Sequence, residues 1–181
     1  MSKLGTLVSI LIFTTLFASA AAAQKKPTTR TTPTRTTPAK NTSTLPPLDV
    51  RAARVKVSNQ ASNVTQFVSI MGPITQSIEA LDNESKTRKI SQASADANAS
   101  NKQKLLTAIK NMRAGIDSLE TEFQTKPALK LYLPKIQGIS DLAAQSENMA
   151  VAGKYVSSRD PWRTILQKLN DTLAAMPNAE L

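Results

Sequence analysis

Apolar residues recur every three or four positions through most of residues 49–181, which is the spacing of helices that bury one face. One heptad phase begins just after Asp49, a residue that can cap a helix, and contains Val50, Val57, Val64, Met71 and Ile78. A second seam position holds Ala53, Gln60, Phe67, Ile74 and Leu81. Gly72 and Pro73 interrupt the sequence without changing the phase. The pattern therefore predicts one kinked helix over 49–82.

The next stretch, residues 82–103, is rich in alanine and serine and poor in large apolar side chains. We expect a loosely packed turn and helix there. After this stretch, large apolar residues again recur at steps of four and three, which predicts a helix to about residue 124. They are Leu105, Ile109, Met112, Ile116, Leu119 and Phe123.

Two more helices are predicted in the last third of the chain. The first covers about 134–157, with Leu142, Met149 and Val156 seven apart beside the small residues Ala143, Ser146, Ala150 and Gly153. The second starts at Asp160-Pro161, where a capping side chain precedes a proline, and ends at Pro177. Its stripe is Trp162, Ile165 or Leu166, Leu169, Leu173 and Met176. The fold class predicted is all-α, an antiparallel four-helix up-down bundle whose long first helix projects its first turns beyond the others.

The amino-terminal residues have the layout of a secretory signal peptide. A basic start is followed by an apolar run to Phe17 and by four alanines before Gln24. We expect residues 1–23 to be removed after Ala23, which makes the protein secreted or periplasmic and leaves no transmembrane segment. Retention as an anchor is the alternative, although the apolar run is shorter than the roughly 20 residues that span a bilayer. With no cysteine, the chain is not a lipoprotein and has no disulfides.

Residues 24–48 are predicted to be a disordered, extended linker rich in threonine and proline. This linker has five basic and no acidic residues, whereas residues 49–181 have 17 basic and 13 acidic ones. It is a passive spacer, an adhesive strand or a threonine-glycosylated stalk. Its expected partners are anionic envelope polymers, glycans or lipid headgroups, and a protein partner stays open; export makes nucleic acid unfavoured. The predicted contact residues are Lys25, Lys26, Arg30, Arg35 and Lys40.

Composition excludes several kinds of chemistry. The chain has no histidine and no cysteine, so Ser-His-Asp and Cys-His catalysis are excluded and the usual zinc and haem ligands are missing. The closest acidic groups are Asp82 with Glu84 and Glu120 with Glu122. Residues two apart point to different helix faces, which favours solvated helix surface. We expect no enzyme and no cofactor; an enzyme would need a carboxylate pair from distant helices.

One sequence cluster could contact a glycan or an anionic ligand, because aromatic faces between cations suit sugar stacking and anion binding. It consists of Lys154, Tyr155, Arg159, Trp162 and Arg163. The alternative is that Trp162 closes the end of the bundle and the arginines cover it. A second basic stretch, residues 86–89, is read as a solvated turn.

The sequence thus favours an exported, non-enzymatic helical bundle that acts as a binding or structural module at the cell envelope or outside the cell. Its basic linker would steer it to anionic surfaces. The alternative function is a sensor or carrier that binds a small apolar or anionic ligand between helices, near Ser146, Ala150 and Gly153.

Overall fold

A computed structural model of the chain describes residues 46–178, and this range is all-helical with no strand. Four helices exceed ten residues: α1 Leu48–Thr87, α2 Gln92–Thr125, α4 Ile139–Val151 and α5 Asp160–Ala175. A short helix, α3 Leu133–Ile136, and two 3-10 turns, Pro127–Leu129 and Ser157–Arg159, lie between them. The predicted helical class is confirmed. The predicted signal peptide and linker residues 24–45 lie outside the described residues.

Helix α1 forms because its apolar phase is continuous, and it runs unbroken through Pro73 as one helix. Pro73 has no N–H to donate to the preceding turn. Nearby, the hydroxyl of Thr75 donates to the carbonyl oxygen of Gly72 over 3.0 Å. The helix ends at Thr87, five residues later than predicted. The kink stays a prediction.

Helix α2 begins earlier than the apolar seam indicates. Ser91 is its N-cap, and the Ser91 hydroxyl accepts the N–H of Ser94 over 3.1 Å. The alanine- and serine-rich residues therefore belong to the same helix as the seam. Among residues 92–104 only Asn98 is buried, so the early turns pack on few neighbours.

The prediction of one helix over 134–157 is wrong at both ends. Gly138 has φ +85° and separates α3 from α4, and Gly153 has φ +77° just beyond α4. Glycine populates this left-handed region at little cost, so the chain turns at both positions. The N–H of Gly153 bonds to Ala150 O and that of Lys154 to Met149 O, the pairing of a Schellman helix end.

The four long helices pack in a ring, with α1 and α4 each contacting both α2 and α5. Opposite ends meet: Lys56 near the start of α1 pairs with Glu122 near the end of α2 at 2.7 Å. Arg54 donates to the carbonyl oxygen of Met176, just beyond α5, over 2.9 Å. Asp82 near the end of α1 pairs with Lys102 at 2.6 Å. Each neighbouring pair in these contacts therefore runs in opposite directions.

The expectation that the first turns of α1 project is wrong. Val50 is 3% exposed, and Asp49 pairs with Lys126 at 3.2 Å. The other end of α1 extends instead, because α1 and α2 have 40 and 34 residues whereas α4 and α5 have 13 and 16. At a rise of about 1.5 Å per residue, α1 and α2 are longer than α4 and α5 and extend beyond them.

The residues that form the hydrophobic core are spread along the chain from Val50 to Met176. All five residues of the first predicted heptad position of α1 are buried, namely Val50, Val57, Val64, Met71 and Ile78. Residues of the second heptad position become less buried along the helix, from fully buried Ala53 to Ile74, which is 36% exposed. Phe123 and Trp162 are the largest fully enclosed side chains. The heptad pattern therefore located the buried stripe of α1 correctly and overstated its width.

Candidate functional site before the last helix

The sequence cluster Lys154–Arg163 spans the connection from α4 to α5. The glycine turn that ends α4 directs the chain back toward the core, where Tyr155 and Ser158 are buried. The 3-10 turn Ser157–Arg159 then leads directly into α5. The cluster is thus a helix junction whose backbone is held by its own hydrogen bonds.

Trp162 is fully buried and belongs to a chain of hydrogen bonds. Its indole Nε1–H donates to the Ser146 hydroxyl oxygen over 2.6 Å, and the Ser146 hydroxyl donates to the carbonyl oxygen of Ser158 over 2.6 Å. The Ser158 hydroxyl donates in turn to Tyr155 O. Phe67 meets the indole edge-to-face with centroids 5.1 Å apart. The indole ring is therefore enclosed by the protein and presents no face to solvent.

Tyr155 is held by residues of α1 and α2. It is 7% exposed, and the Lys102 ammonium lies 5.7 Å from the ring centroid. Asp82 fixes that ammonium by an ion pair at 2.6 Å and also accepts the Asn98 amide at 2.8 Å. The cation–π contact is thus part of a network that joins both helices to the junction. Asp82 is half-buried in it, so the interpretation of Asp82 as solvated helix surface is wrong.

The three cationic residues of the cluster have different surroundings. Lys154 is exposed, and Arg163 is exposed and pairs with Asp160 at 3.1 Å. Arg159 is half-buried against α1, with Nη1 2.6 Å from the position that a Cβ on Gly72 would take. Its Nε is buried and has no hydrogen-bond partner in the described range. The five predicted residues divide into two enclosed rings and three cations, and their contact with a ligand stays a prediction.

A groove that sequence reasoning missed lies between α1 and α2. It consists of two adjoining depressions of about 490 and 280 Å³ that share Gln60 and Gly115. Half-buried Phe67 and Met112 form its apolar part. Gly115 makes room for Gln60, because a Cβ there would lie 3.3 Å from the Gln60 amide nitrogen. The amides around it are Asn59, Asn63 and Asn111.

The small-residue face predicted to bind a ligand is largely interior. Ser146 and Ala150 are fully buried, and Gly153 is exposed in the turn after α4. The Ser146 hydroxyl is already engaged as both donor and acceptor. The only sequence signal for the α1–α2 groove was the glycine at position 115. That signal could not be used without knowing which residue of α1 faces it.

The second acidic pair is not solvated surface, in contrast to the sequence interpretation. Glu120 is 5% exposed, and its carboxylate accepts the N–H groups of Gly138 at 2.6 Å and Ser140 at 2.8 Å. It therefore caps the amino terminus of α4 from another helix, where a negative charge is favourable. The spacing of Glu120 and Glu122 hid this role, because the N–H groups come from a distant part of the chain.

Glu122 joins the start of α1 to the end of α2 through ion pairs. It contacts Lys56 at 2.7 Å and Lys126 at 2.8 Å, and Lys126 also contacts Asp49 at 3.2 Å. Burial disfavours the charged form of Glu122, but hydrogen bonds and charge from Lys126 and Lys56 outweigh it and lower the pKa of Glu122. Hydrogen bonds from Lys126 to Glu122 and Asp49 raise the pKa of Lys126.

Within residues 46–178, no three acidic, histidine or cysteine side chains gather as a metal-binding group. None of the helices in this range has a stretch both long and apolar enough to cross a bilayer. Comparisons of the chain with protein-family models, with curated proteins and with solved structures found no match.

Proposed function

We propose that the chain is an exported, non-enzymatic helical-bundle protein that acts as a binding or structural module at the cell envelope or outside the cell. Residues 24–48 steer it to anionic surfaces. The observation that carries the proposal is the charge of this linker, five basic residues without one acid. Such a segment attracts polyanions over about a Debye length, roughly 10 Å at 0.1 M salt.

The folded part is proposed to be an antiparallel up-down four-helix bundle. This is supported by the ring of helix contacts and by the opposite ends that meet in the Lys56–Glu122 and Asp82–Lys102 ion pairs. Inside it, Ser146, Ser158 and Trp162 bond to one another or to backbone. Because these interior polar groups already have partners, we expect binding partners to be recognised by the linker and the outer surface instead.

Steering is tested by retention on anionic polymer beads and anionic vesicles. The chain beginning at Gln24 is compared with a variant of equal length in which the five linker cations become glutamine. Each cation contributes about 1 kcal/mol near an anionic surface, so we expect affinity to fall at least about 100-fold. We also expect parent binding to weaken as salt rises. The five substituted positions are Lys25, Lys26, Arg30, Arg35 and Lys40.

A matched control carries five glutamines at linker threonines and keeps all five charges. This control should bind as the parent does. Equal and salt-insensitive retention of the parent and the charge-free variant would eliminate electrostatic steering. The threonine positions suited to the control are Thr28, Thr29, Thr31, Thr32 and Thr34.

Export is tested by fractionating source cells and measuring the mass of the protein recovered. We expect a chain that begins at Gln24 outside the cytosol. Arginine at Ala21 and Ala23 should block processing, because signal peptidase needs small residues there. An unprocessed parent chain in the cytosol would contradict export.

The α1–α2 groove favours a second candidate function, a sensor or carrier of a small ligand. Its largest depression, about 490 Å³, is within the size range of ligand pockets and combines apolar Phe67 and Met112 with amides. A thermal-shift screen with fatty acids, lipids and aromatic compounds tests this. Ala108→Phe, which fills the groove, should abolish any shift, and Ala114→Phe on the exposed side of α2 should retain it. A flat response from the parent would count against a carrier.

A further inference from the structure

The end of the bundle at which α1 begins has a distinct surface. Leu48 starts α1, so the linker joins the fold here, and the Asp49–Lys126 ion pair holds this start against the connection that follows α2. That connection includes the 3-10 turn Pro127–Leu129 and α3. The cationic linker and the 126–135 segment therefore meet the fold at the same end.

Within the 126–135 segment, Leu131 is 80% exposed, the highest value among the large apolar side chains exposed in the described range. Its backbone is nevertheless well held. Leu129 and Ile136 on either side are fully buried, and the N–H of Tyr132 bonds to Leu129 O over 2.9 Å. Leu131 is thus presented to solvent on an anchored turn, beside half-buried Tyr132.

The charge around Leu131 is positive. No acidic residue occurs between Glu122 and Asp141, whereas Lys126, Lys130 and Lys135 do. Of these lysines, Lys126 is neutralised by Glu122 and Asp49. Lys130 and Lys135 are exposed and make no ion pair with any residue from 46 to 178.

Glu120, which contacts the residues just after this segment, does not offset those two lysines. Glu120 is turned inward to the N–H groups of Gly138 and Ser140. On the α5 side, Lys168 donates to the carbonyl oxygen of Gln137 over 3.2 Å and adds another cation. The surface therefore combines a solvent-facing leucine with positive charge that no ion pair within residues 46–178 compensates.

We propose that the 126–135 segment is a lipid-contact surface that docks the bundle on an anionic phospholipid bilayer. Leu131 enters the acyl boundary, Tyr132 lies at headgroup level, and Lys130 and Lys135 contact the headgroups. This combination fits a bilayer better than a charged polymer. A polymer attracts the lysines but leaves the Leu131 side chain in water, whereas a bilayer also buries it. The inference rests on the proposed attraction to anionic surfaces and names the surface.

The first test compares Leu131→Asp with Val151→Asp, because Val151 is also exposed, at 67%, but lies at the end of α4. Binding to phosphatidylglycerol–phosphatidylcholine vesicles is measured by sedimentation with the chain from Gln24, which keeps every residue of the core. The Leu131 variant should bind at least about tenfold more weakly, since it loses apolar burial. The Val151 variant should bind as the parent does. Equal binding by the Leu131 variant and the parent overturns the inference.

The lysines are tested in the same assay. The double variant Lys130→Gln/Lys135→Gln should reduce affinity about tenfold or more, because each cation near an anionic surface contributes about fivefold in affinity. The control, Lys89→Gln with Lys104→Gln, removes two exposed charges away from this surface and should have a smaller effect. Equal losses in both double variants would contradict a localised surface.

Insertion into the bilayer can be measured directly with a fluorescent label. The chain contains no cysteine, so one introduced cysteine is the single labelling site. Leu131→Cys and Val151→Cys are labelled with an environment-sensitive fluorophore and mixed with anionic vesicles. Only the label at 131 should shift to the blue and become protected from an aqueous quencher. A bound protein with an unshifted label at 131 overturns the inference.

Two further comparisons separate this inference from linker steering. On anionic polymer beads, Leu131→Asp should lose no more than the about fivefold that one added negative charge costs. A loss equal to that on vesicles would contradict a lipid-specific role. If the charge-free linker variant loses vesicle binding while Leu131→Asp does not, steering stands and the lipid surface is wrong. The reverse result supports the lipid surface and contradicts steering.

Discussion

The indole Nε1–H of Trp162 donates to the hydroxyl oxygen of Ser146 over 2.6 Å, and both side chains are fully buried. Ser146 in α4 thereby satisfies the polar atom of the largest side chain in α5. Its own hydroxyl proton goes to the carbonyl oxygen of Ser158, so one serine connects α4, the 3-10 turn and α5. A buried hydroxyl with this role is costly to remove, because its partners stay behind without water.

Ser146→Ala should therefore destabilise the fold by about 1–3 kcal/mol, the cost of leaving a buried donor or acceptor unpaired. Urea unfolding followed by the fluorescence of Trp162, the only tryptophan, measures it. The control is Ser157→Ala, an exposed serine in the same junction, which should stay within about 0.5 kcal/mol of the parent. A Ser146→Ala midpoint equal to that of the parent would show that the network contributes nothing.

Glu120→Ala should cost about 1–3 kcal/mol, because it leaves the N–H groups of Gly138 and Ser140 uncapped at the start of α4. Glu120→Gln should cost less, since its amide oxygen can still accept one N–H. The measurement is equilibrium unfolding. Glu84→Gln, which removes a carboxylate from the exposed Arg88 ion pair, is the control and should change stability by less than about 1 kcal/mol. Equal stability of Glu120→Ala and the parent would refute the capping role.

Gly72 and Arg159 should be coupled energetically. A Cβ at position 72 would lie 2.6 Å from Arg159 Nη1, so Gly72→Ala must displace the guanidinium. The same Cβ also crowds Pro73, and this second cost does not depend on Arg159. A double-mutant cycle of Gly72→Ala and Arg159→Ala isolates the contact, with an expected coupling of about 0.5–1 kcal/mol. Additive effects of the two substitutions would contradict close packing between α1 and the junction.

Acid should weaken the fold partly through Glu122. The pKa of Glu122 is lower in the folded protein, so its ion pairs stabilise the fold above the unfolded pKa. This contribution is lost as pH falls below the unfolded pKa and through the lower folded pKa. Thermal midpoints are measured between about pH 7 and pH 3. Glu122→Gln should be less stable than the parent at neutral pH, and the difference should shrink in acid. A difference independent of pH would mean that the charge of Glu122 is not responsible.

Several elements could be predicted from the sequence because their signals are local. Helix α5 was expected from Asp160 to Pro177 and runs from Asp160 to Ala175, since a proline-marked start and one apolar stripe suffice to define it. The first heptad position of α1 was buried as predicted. The bounds of the third predicted helix were wrong at both ends, because a glycine in sequence does not say whether its φ is positive. Gly138 turns where the Glu120 carboxylate, from another helix, receives its N–H.

The candidate site shows the same division. Sequence alone identified Trp162 and Tyr155 as unusual but left open whether they contact a ligand or close the core. Their enclosure depends on Phe67, Ser146 and Lys102, which come from three other helices. The same holds for the α1–α2 groove, which exists because Gly115 faces Gln60.

By itself the sequence determined the helical class, the buried stripe of α1, the absence of histidine and cysteine chemistry, and the concentration of charge in residues 24–48. Tertiary structure alone decided that Glu120 is a buried cap, that Trp162 is interior, and that Leu131 is exposed beside lysines that form no ion pair with residues 46–178. The physical reason is the range of the interactions. Helical periodicity and composition are properties of neighbouring residues, whereas a cap, a covered ring or an exposed leucine is fixed by the register between helices that are distant in sequence.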